Sequence, residues 1–591
     1  MTASLARCGT VVLGLALCSA GGPGSASGGV WVDVPLVATQ LPRQVLVGRH
    51  GGGTAAGLPH STWFAGARLV LVSPSGEVRA LSREFDSACD PNVSFDAGRL
   101  LFAGRRSGGD RWRIWEMGLD GSDVRAVSPE HMDAWSPIHV STLFTLDSPE
   151  PWFTTVFVGI EPAPGGIGRP AASSLYNIKL DGTELRRLTY TPHQNLDPFQ
   201  MWDGRVIYSS ESHPHEPGRT LGRHGIFAIH VEGADMELYG GRTGASIQQM
   251  PCATERGIVV FVELNSASRQ GGGQLACVDE RRPHATSRRL SQDPSKSFLY
   301  PAPWRDNMVL VAQREVGGEG TWGIVAMDID RGQTDVVFDT PEYDEVQAVA
   351  VQPRRRPDGH STVVEPRFRT GTFYGLNCSI ADTMREAHLP PGSVKRVRFV
   401  EGVLESPVVS AKNEPHWPFL SRWLIGEAPV EADGSFNVEV PADTPLLLQT
   451  LDERGLALGT CGWIWVKPKE TRGCIGCHED PERIPENEYV LALRRPSTRL
   501  VLPPHQRRSV SFRGEVAPLL RRHCASVECH GGGNTPLHLP LGSDRSTDAG
   551  LEESFAALMA PAEAGARPGA TAPLPGRYVD AGRARTSWLI W

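Results

Sequence analysis

The stretch LDGTELRRLT (residues 180–189) places an Asp-Gly pair between two short alternating segments. This pattern predicts a β-hairpin, because glycine takes the positive φ of a tight turn without steric cost. Similar stretches are SPSGEVRAL (73–81), LDGSDVRAV (119–127) and VEGADMELY (231–239), and weaker ones occur at Asp279-Glu280 and Asp330-Arg331. The first half of the chain is therefore predicted to be a series of hairpins.

A second marker keeps the same spacing as these turns. The turns begin at residues 75, 120, 181, 232, 279 and 330, and the first five are each followed by one of Pro91, Pro137, Pro198, Pro251 and Pro301. Two markers in step predict one four-stranded unit per repeat, and six units predict a six-bladed β-propeller over residues 28–358 in a mainly β protein. LDGTELRRLT also resembles the repeats of TolB-type propellers. The alternative is a set of unrelated hairpins in two β-sandwiches.

Length, charge and the N-terminus limit the class of protein. A chain of 591 residues is too long for one hydrophobic core, and its net charge of −8 argues against a nucleic-acid partner. Residues 1–27 are predicted to be a signal peptide, because Arg7 precedes a short apolar run, VVLGLAL (11–17), and small residues follow. We therefore expect an exported, periplasmic protein with no transmembrane segment. Lipid anchoring at Cys18, as in a lipoprotein, is the alternative.

Residues 359–500 are predicted to form a small β-sandwich as the middle domain. VKRVRFVEGVLE (394–405) alternates, and a turn at Asp433-Gly434 precedes a strand with alternating apolar residues. The domain contains CGWIWVKPKE (461–470), in which Trp463 and Trp465 either line a cofactor site or belong to the core.

The stretch TRGCIGCHED (471–480) holds two cysteines three positions apart and a histidine directly after the second. A thioredoxin-like redox pair, a zinc site and covalently attached haem all use such a cluster. A redox pair belongs in a βαβ unit, whereas this cluster follows a β-domain, and zinc needs two further ligands that the second cluster could donate. Haem c requires this order, with Cys474 and Cys477 bound to the porphyrin vinyl groups and His478 bound to the iron.

The stretch VSFRGEVAPLLRRHCASVECHGGG (510–533) contains a second cluster. Four residues separate Cys524 from Cys529, and His530 follows directly, which is an expanded form of the haem attachment motif. The preceding residues predict an amphipathic helix with Val516, Leu519 and Leu520 on one face. We therefore expect an α-helical, cytochrome c-like domain over residues 501–591 that carries a second haem c with His530 on its iron. Candidates for the opposite iron ligand are Met559 and His538.

These features predict an exported dihaem c-type cytochrome. Its two covalently attached haems would serve electron transfer or a haem-dependent oxidoreductase reaction, together with a redox partner protein or other subunits. The rival interpretation is a non-catalytic propeller that binds a partner, with structural zinc at the two Cys/His clusters.

From about residue 360 onward the chain resembles the alpha subunit of hydrazine synthase and its relatives. The stretches that carry the resemblance are VPADTPLLLQTLDERG (440–455), WIWVKPKETRGCIGCHEDPERIPEN (463–487), and EVAPLLRRHC (515–524) with CHGGG (529–533). The resemblance implies a propeller, a middle domain with a catalytic c-type haem, and a C-terminal cytochrome domain whose haem passes electrons to it. It also implies a tyrosine ligand shortly after the first motif, where this chain has Glu482 and its nearest tyrosine is Tyr489.

Overall fold

The structure is a computed structural model of a mainly β protein. It describes residues 32–43, 64–142, 152–161, 173–211, 224–239, 247–264, 272–291, 293–305, 307–318, 320–357, 359, 361–362, 364–380, 390–404, 420–477, 484–486, 488–507, 509–531, 537–541, 548–559, 578–579 and 587. The predicted signal peptide, Cys18, His478 and Glu482 lie outside these residues. No helix in the described ranges is long and apolar enough to cross a membrane.

Twenty-four strands form what we call the repeat region (residues 32–357) in the described part of the chain. They are β1 (Leu36–Pro42), β2 (Arg68–Val72), β3 (Val78–Ala80), β4 (Ser87–Val93), β5 (Arg99–Arg105), β6 (Arg113–Gly118), β7 (Arg125–Ala126), β8 (Asp133–Thr142), β9 (Trp152–Ile160), β10 (Ser174–Lys179), β11 (Arg186–Arg187), β12 (Asn195–Gln200), β13 (Val206–Glu211), β14 (His224–Ile229), β15 (Glu237–Leu238), β16 (Ile247–Ala253), β17 (Ile258–Leu264), β18 (Gln274–Asp279), β19 (Arg288–Arg289), β20 (Lys296–Arg305), β21 (Met308–Glu315), β22 (Gly323–Asp328), β23 (Thr334–Phe338) and β24 (Tyr343–Ala350).

The strands of the repeat region pair in antiparallel groups of four. Five groups are consecutive in sequence, namely β4 to β7, β8 to β11, β12 to β15, β16 to β19 and β20 to β23. A single parallel bridge between His224 and Ile247 joins the third and fourth of these into one sheet. The remaining group has the order β24-β1-β2-β3, so the last strand of the region pairs with the first. In the five consecutive groups, one of the turns found in the sequence joins the last two strands, and in the remaining group the turn at residue 75 joins β2 to β3.

The proline marker has a structural explanation in the first strand of each group. Five prolines follow a residue with left-handed backbone, with φ between 48° and 55°, and a sixth such residue is Gln347 at 56°. The five are Asp90, Ser136, Asp197, Met250 and Tyr300. All six residues line one small cavity of about 140 Å³. They also link neighbouring groups, since the Ser136 backbone N–H donates to Asp90 Oδ2 at 2.8 Å and the Asp90 N–H to Gln347 Oε1 at 2.9 Å.

The pairing of β1 with β24 contains a buried carboxylate. Glu345 is fully buried, and its Oε1 accepts a hydrogen bond from Gln40 Nε2 at 2.9 Å, across the two strands. The Thr340 hydroxyl donates to the same oxygen. Burial raises the pKa of Glu345 to about 7, and these hydrogen bonds oppose the rise.

We expect this carboxylate to make the stability of the repeat region depend on pH. A glutamate in the unfolded chain titrates near its ordinary pKa of about 4.3, so between that value and about 7 the folded state binds more protons than the unfolded one. The free energy of unfolding therefore falls as the pH rises through this interval. Glu345→Gln, which keeps the acceptor oxygen, should flatten the fall in denaturant titrations at several pH values. Exposed Glu77→Gln is the control, and equal slopes for all three proteins would contradict the expectation.

Residues 364–500 form what we call the middle region, which contains two four-stranded sheets. Its strands are β25 (Thr370–Gly375), β26 (Arg396–Leu404), β27 (Leu420–Pro429), β28 (Phe436–Pro441), β29 (Leu446–Leu451), β30 (Ala457–Thr460), β31 (Thr471–Cys474) and β32 (Thr498–Arg499). One sheet has the order β31-β25-β28-β32 and the other β27-β26-β29-β30. Phe373 and Val438 from the first sheet share an apolar core with Phe399 and Leu448 from the second.

The remaining described residues are less regular. They contain a 3₁₀ turn at Pro504–Gln506, a π-helical turn at Phe512–Val516, and helices α1 (Ala517–His523) and α2 (Asp548–Met559), and a further 3₁₀ turn at Leu491–Arg494 lies within the middle region. Leu520 of α1 and Leu551 of α2 pack with Leu539 in a small separate core.

Candidate functional site

A docking segment (residues 463–472) joins the middle region to the repeat region. Trp465 is fully buried in the core of the repeat region, whereas its neighbour Val466 belongs to the core of the middle region. Trp465 Nε1–H donates to the Gly233 carbonyl at 2.8 Å. Lys467, which is also buried, donates from Nζ to the Arg187 carbonyl at 3.1 Å. The segment therefore fixes the middle region to strand β11 at Arg187 and to the turn at Gly233.

Charged side chains complete this attachment. Asp235 N–H donates to Glu470 Oε1 at 3.0 Å, and the Lys467 ammonium lies 2.7 Å from Asp443 Oδ1. Burial raises the pKa of Glu470 and lowers that of Lys467. Further along the segment, the Arg472 guanidinium donates to the Met236 carbonyl and, at 3.4 Å, to the Trp465 carbonyl.

A cavity of about 700 Å³ lies between the two regions beside the docking segment. Cys474 and Cys477 both line it, so these two cysteines of the first cluster face a space of the size used for cofactors, which is about 300–1,000 Å³. Much of its wall is apolar. The apolar part comes from Phe227, Met236, Leu238, Val397, Phe436, Leu448 and Ile464, and the polar part includes Arg205, Tyr208, Asp235, Glu237 and Arg472.

Strand pairing and two glycines place the cysteines in this wall. Strand β31 pairs in parallel with β25, with Gly473 opposite Tyr374 and Cys474 opposite Gly375. A Cβ on Gly473 would lie 2.3 Å from the Tyr374 ring, and a Cβ on Gly476 would lie 2.6 Å from the Ile380 carbonyl oxygen. Glycine at both positions therefore lets the motif pack closely against residues 374–380.

A third thiol, that of Cys461, also lines the cavity but is held differently. Its Sγ accepts from the Leu448 N–H and donates to the Gly462 carbonyl, both at 3.2 Å. Burial raises the pKa of the Cys461 thiol to about 12, so it stays protonated at neutral pH. On the opposite wall, burial raises the pKa of the Tyr208 phenol, which keeps its proton as well.

The second cluster lies at the end of helix α1, away from this cavity. The His530 N–H donates to the Cys524 carbonyl at 3.0 Å, which closes the loop between the two cysteines. His530 Nδ1 lies 3.0 Å from the Leu537 carbonyl oxygen. Because a carbonyl oxygen only accepts, Nδ1 carries the proton and Nε2 keeps its lone pair, which is the tautomer of an imidazole that binds a metal through Nε2. Cys524 and Cys529 form no disulfide.

The residues around the second cluster correct one detail of the sequence prediction. Leu520 is buried and Val516 packs against the same small core, as expected, but Leu519 is 61% exposed. The three do not share one buried face. Gly531 is needed for close packing, since a Cβ there would lie 2.4 Å from the Ala525 carbonyl oxygen.

The structure separates the residues that the sequence singled out. Trp463 lines the cavity and also packs in a small core with Val400 and Leu447, whereas Trp465 lies in the core of the repeat region. Tyr489 is 64% exposed, and its hydroxyl donates to the Leu493 carbonyl at 2.7 Å. Within the described residues, which leave out His478, no group of three or more His, Cys, Asp and Glu side chains is arranged to hold a metal ion. Sequence reasoning missed Arg472 and Cys461. Arg472 could have been found, because it lies two positions from Cys474 on the same strand.

Comparisons with known proteins agree with this division of the chain. Residues 392–479, which contain the first cluster, match the family model of the hydrazine synthase alpha subunit middle domain. Hydrazine synthase subunit alpha of Kuenenia stuttgartiensis is 23% identical over 579 residues, covering 80% of this chain and 70% of the relative. The solved hydrazine synthase of that organism superposes with a TM-score of 0.74 at 21% identity, covering 89% of this chain and 85% of the other.

The chain is similar to the hydrazine synthase alpha subunit, whose middle-domain family it matches over residues 392–479. This hydrazine synthase alpha-like chain shares its fold with the solved enzyme over most of its length. TolB from Acinetobacter baumannii is also similar, with a TM-score of 0.33 at 12% identity over 54% of this chain and 67% of TolB.

Proposed function

We propose that the chain is an exported, haem-dependent oxidoreductase subunit of the hydrazine synthase alpha type, with two c-type haems. The first haem would be attached to Cys474 and Cys477 with His478 as iron ligand, and the second to Cys524 and Cys529 with His530. The six four-stranded groups would be the blades of one propeller over residues 28–358. Residues 359–500 would be a β-sandwich middle domain, and residues 501–591 a cytochrome c-like domain.

The observation that carries the proposal is the cavity at the first cluster. Two cysteines three positions apart line the same space of about 700 Å³, which is bounded by apolar side chains from both regions. A tetrapyrrole attached through two thioethers needs such a space beside both sulfurs. The residues present therefore fit a haem c, and the tautomer of His530 supports the same chemistry at the second cluster.

The chain's own residues would prepare the first site. A bound haem supplies an iron that changes oxidation state and takes a small ligand. Phe436, Leu448 and Ile464 exclude water from one side of the cavity. Tyr208 lines the other side with its phenolic proton in place. Cys461 is held as a neutral thiol, so the haem would be attached through Cys474 and Cys477 instead.

The second haem would pass electrons to the first, and the whole chain would act with other subunits. The name hydrazine synthase subunit alpha describes one part of an assembly in the relative, which supports partner subunits here. The predicted leader supports export to the periplasm, where haem c is attached. The reaction would be a redox conversion of a small molecule at the first haem.

Haem counting after maturation in the periplasm tests the proposal. We expect a pyridine haemochrome spectrum that gives two c-type haems per chain, and iron at two atoms per chain by elemental analysis. His530→Ala should leave the second haem attached but change its spin state, because the histidine is the proposed iron ligand. Zinc in place of iron, or a colourless protein, would favour the rival interpretation of a propeller that binds a partner and has structural metal sites.

A further inference from the structure

Arg472 presents a positive charge to the cavity without a carboxylate partner. Among the described residues its guanidinium donates only to the carbonyls of Met236 and Trp465, and it lies 5.8 Å from the centre of the Phe373 ring. It forms no ion pair there, although Glu237 and Glu470 are nearby: burial raises the pKa values of both carboxyl groups, and the Arg472 charge opposes that rise. A half-buried cation held by neutral groups favours an oxyanion as its next ligand.

The second arginine of the cavity differs in this respect. Arg205 lies 2.6 Å from Asp203 Oδ2, contacts Glu237 Oε1 and stacks 5.4 Å from the Tyr239 ring centre. Two carboxylates already neutralise its charge. Of these two arginines, which both line the cavity, Arg472 is therefore the one whose positive charge can attract an anionic ligand.

The position of Arg472 relates this charge to the cysteines. Arg472 and Cys474 are two residues apart on β31, and alternate residues of a strand project to the same face. Both line the cavity. The two carbonyls hold the guanidinium in place before a ligand arrives, which reduces the ordering that binding requires.

We propose that Arg472 binds a carboxylate of the tetrapyrrole attached to Cys474 and Cys477, and so positions the macrocycle and raises its reduction potential. This rests on the proposed function, because it needs a haem at the first cluster. An arginine beside a carboxylate lowers the carboxylate pKa by about 1–3 units, so this group would stay ionised at neutral pH. The guanidinium charge also favours the reduced iron, since reduction removes one positive charge from the site.

The test is a redox titration of Arg472→Gln in a Cys524→Ala/Cys529→Ala background, which would leave only the first haem. We expect a lower midpoint potential than in the parent protein, and a potential that falls as the pH rises, because the carboxylate now takes up a proton on reduction. The midpoint potential of the parent should not change with pH. Arg472→Lys should restore much of this independence. If Arg472 had a purely structural role, the potential of Arg472→Gln would be as independent of pH as that of the parent, and lysine would have nothing to restore.

Arg494→Gln is the matched control. Arg494 is also held by carbonyl oxygen, with Nη2 donating to Tyr489 at 2.9 Å, but it lies away from the cavity, so its loss should change nothing. An unchanged potential and pH profile in Arg472→Gln with full haem content would overturn the proposal. If the glutamine variant does not mature, the parent protein alone is the test. A parental midpoint potential that depends on pH would overturn the proposal, and one that does not would support it.

Two further outcomes separate the sources of failure. A parental potential that shifts with acetate concentration, with the shift lost in Arg472→Gln, would mean that Arg472 binds a free oxyanion instead, and would overturn the assignment to the tetrapyrrole. Absence of haem at the first cluster in the parent protein would refute the proposed function itself.

Discussion

Replacing both Cys474 and Cys477 with alanine is expected to remove one of two haems and to abolish haem-dependent activity. Both sulfurs line the cavity of about 700 Å³, and without the thioethers a tetrapyrrole there would depend on contacts alone. The protein should still fold, because both side chains are only half-buried and alanine is smaller. Haem per chain, measured by pyridine haemochrome and by intact mass, should fall from two to one.

Cys461→Ala is the control for this experiment, because its thiol lines the same cavity. Its hydrogen bonds and its raised pKa keep it a protonated thiol, so its removal should leave both haems in place. A protein that keeps two haems after loss of Cys474 and Cys477 would contradict the assignment of the first site. Loss of haem from the Cys461 variant would mean that the roles of the three thiols are assigned wrongly.

Trp465→Ala is expected to cost about 3–5 kcal/mol in the free energy of unfolding, the usual range for removal of a large buried aromatic side chain. The ring is 1% exposed, packs 6.4 Å from the Tyr190 ring centre and donates to the Gly233 carbonyl. Its loss leaves a cavity where the docking segment enters the repeat region. We expect a lower denaturation midpoint and faster proteolysis between the two regions.

Trp152→Ala provides a comparison at the surface. Trp152 is 39% exposed, and its ring lies 4.3 Å from the Lys179 ammonium, so its removal should cost no more than about 1 kcal/mol. Equal stability losses for the two tryptophan variants would show that the docking segment does not hold the regions together.

Local sequence signals explain much of the fold. The six turns depend on two or three residues each, and the prolines mark left-handed positions such as Asp90 and Asp197, so both can be recognised without knowledge of the tertiary structure. The two Cys/His clusters are recognisable for the same reason. Each is contained within a few residues of sequence.

Features that join distant parts of the chain could not be predicted. The parallel pairing of β31 with β25 brings residues 474 and 375 together, and neither strand signals the other in sequence. Trp465 and Trp463 alternate in one segment, yet one enters the core of the repeat region and the other lines the cavity. Leu519 fits a helical apolar pattern, yet it is exposed, because Val516 and Leu520 provide the face that packs against the small core.

The pairing of β1 with β24 sets an order of events during biogenesis. Residue 36 pairs with residue 72 on one side and with residue 350 on the other, so one edge of β1 has no partner strand until nearly the whole repeat region has been made. Until then β1 and its neighbours present open strand edges, which are prone to mispairing with other chains. The motif at Cys474 is made later still, when both partner strands of β1 are already available.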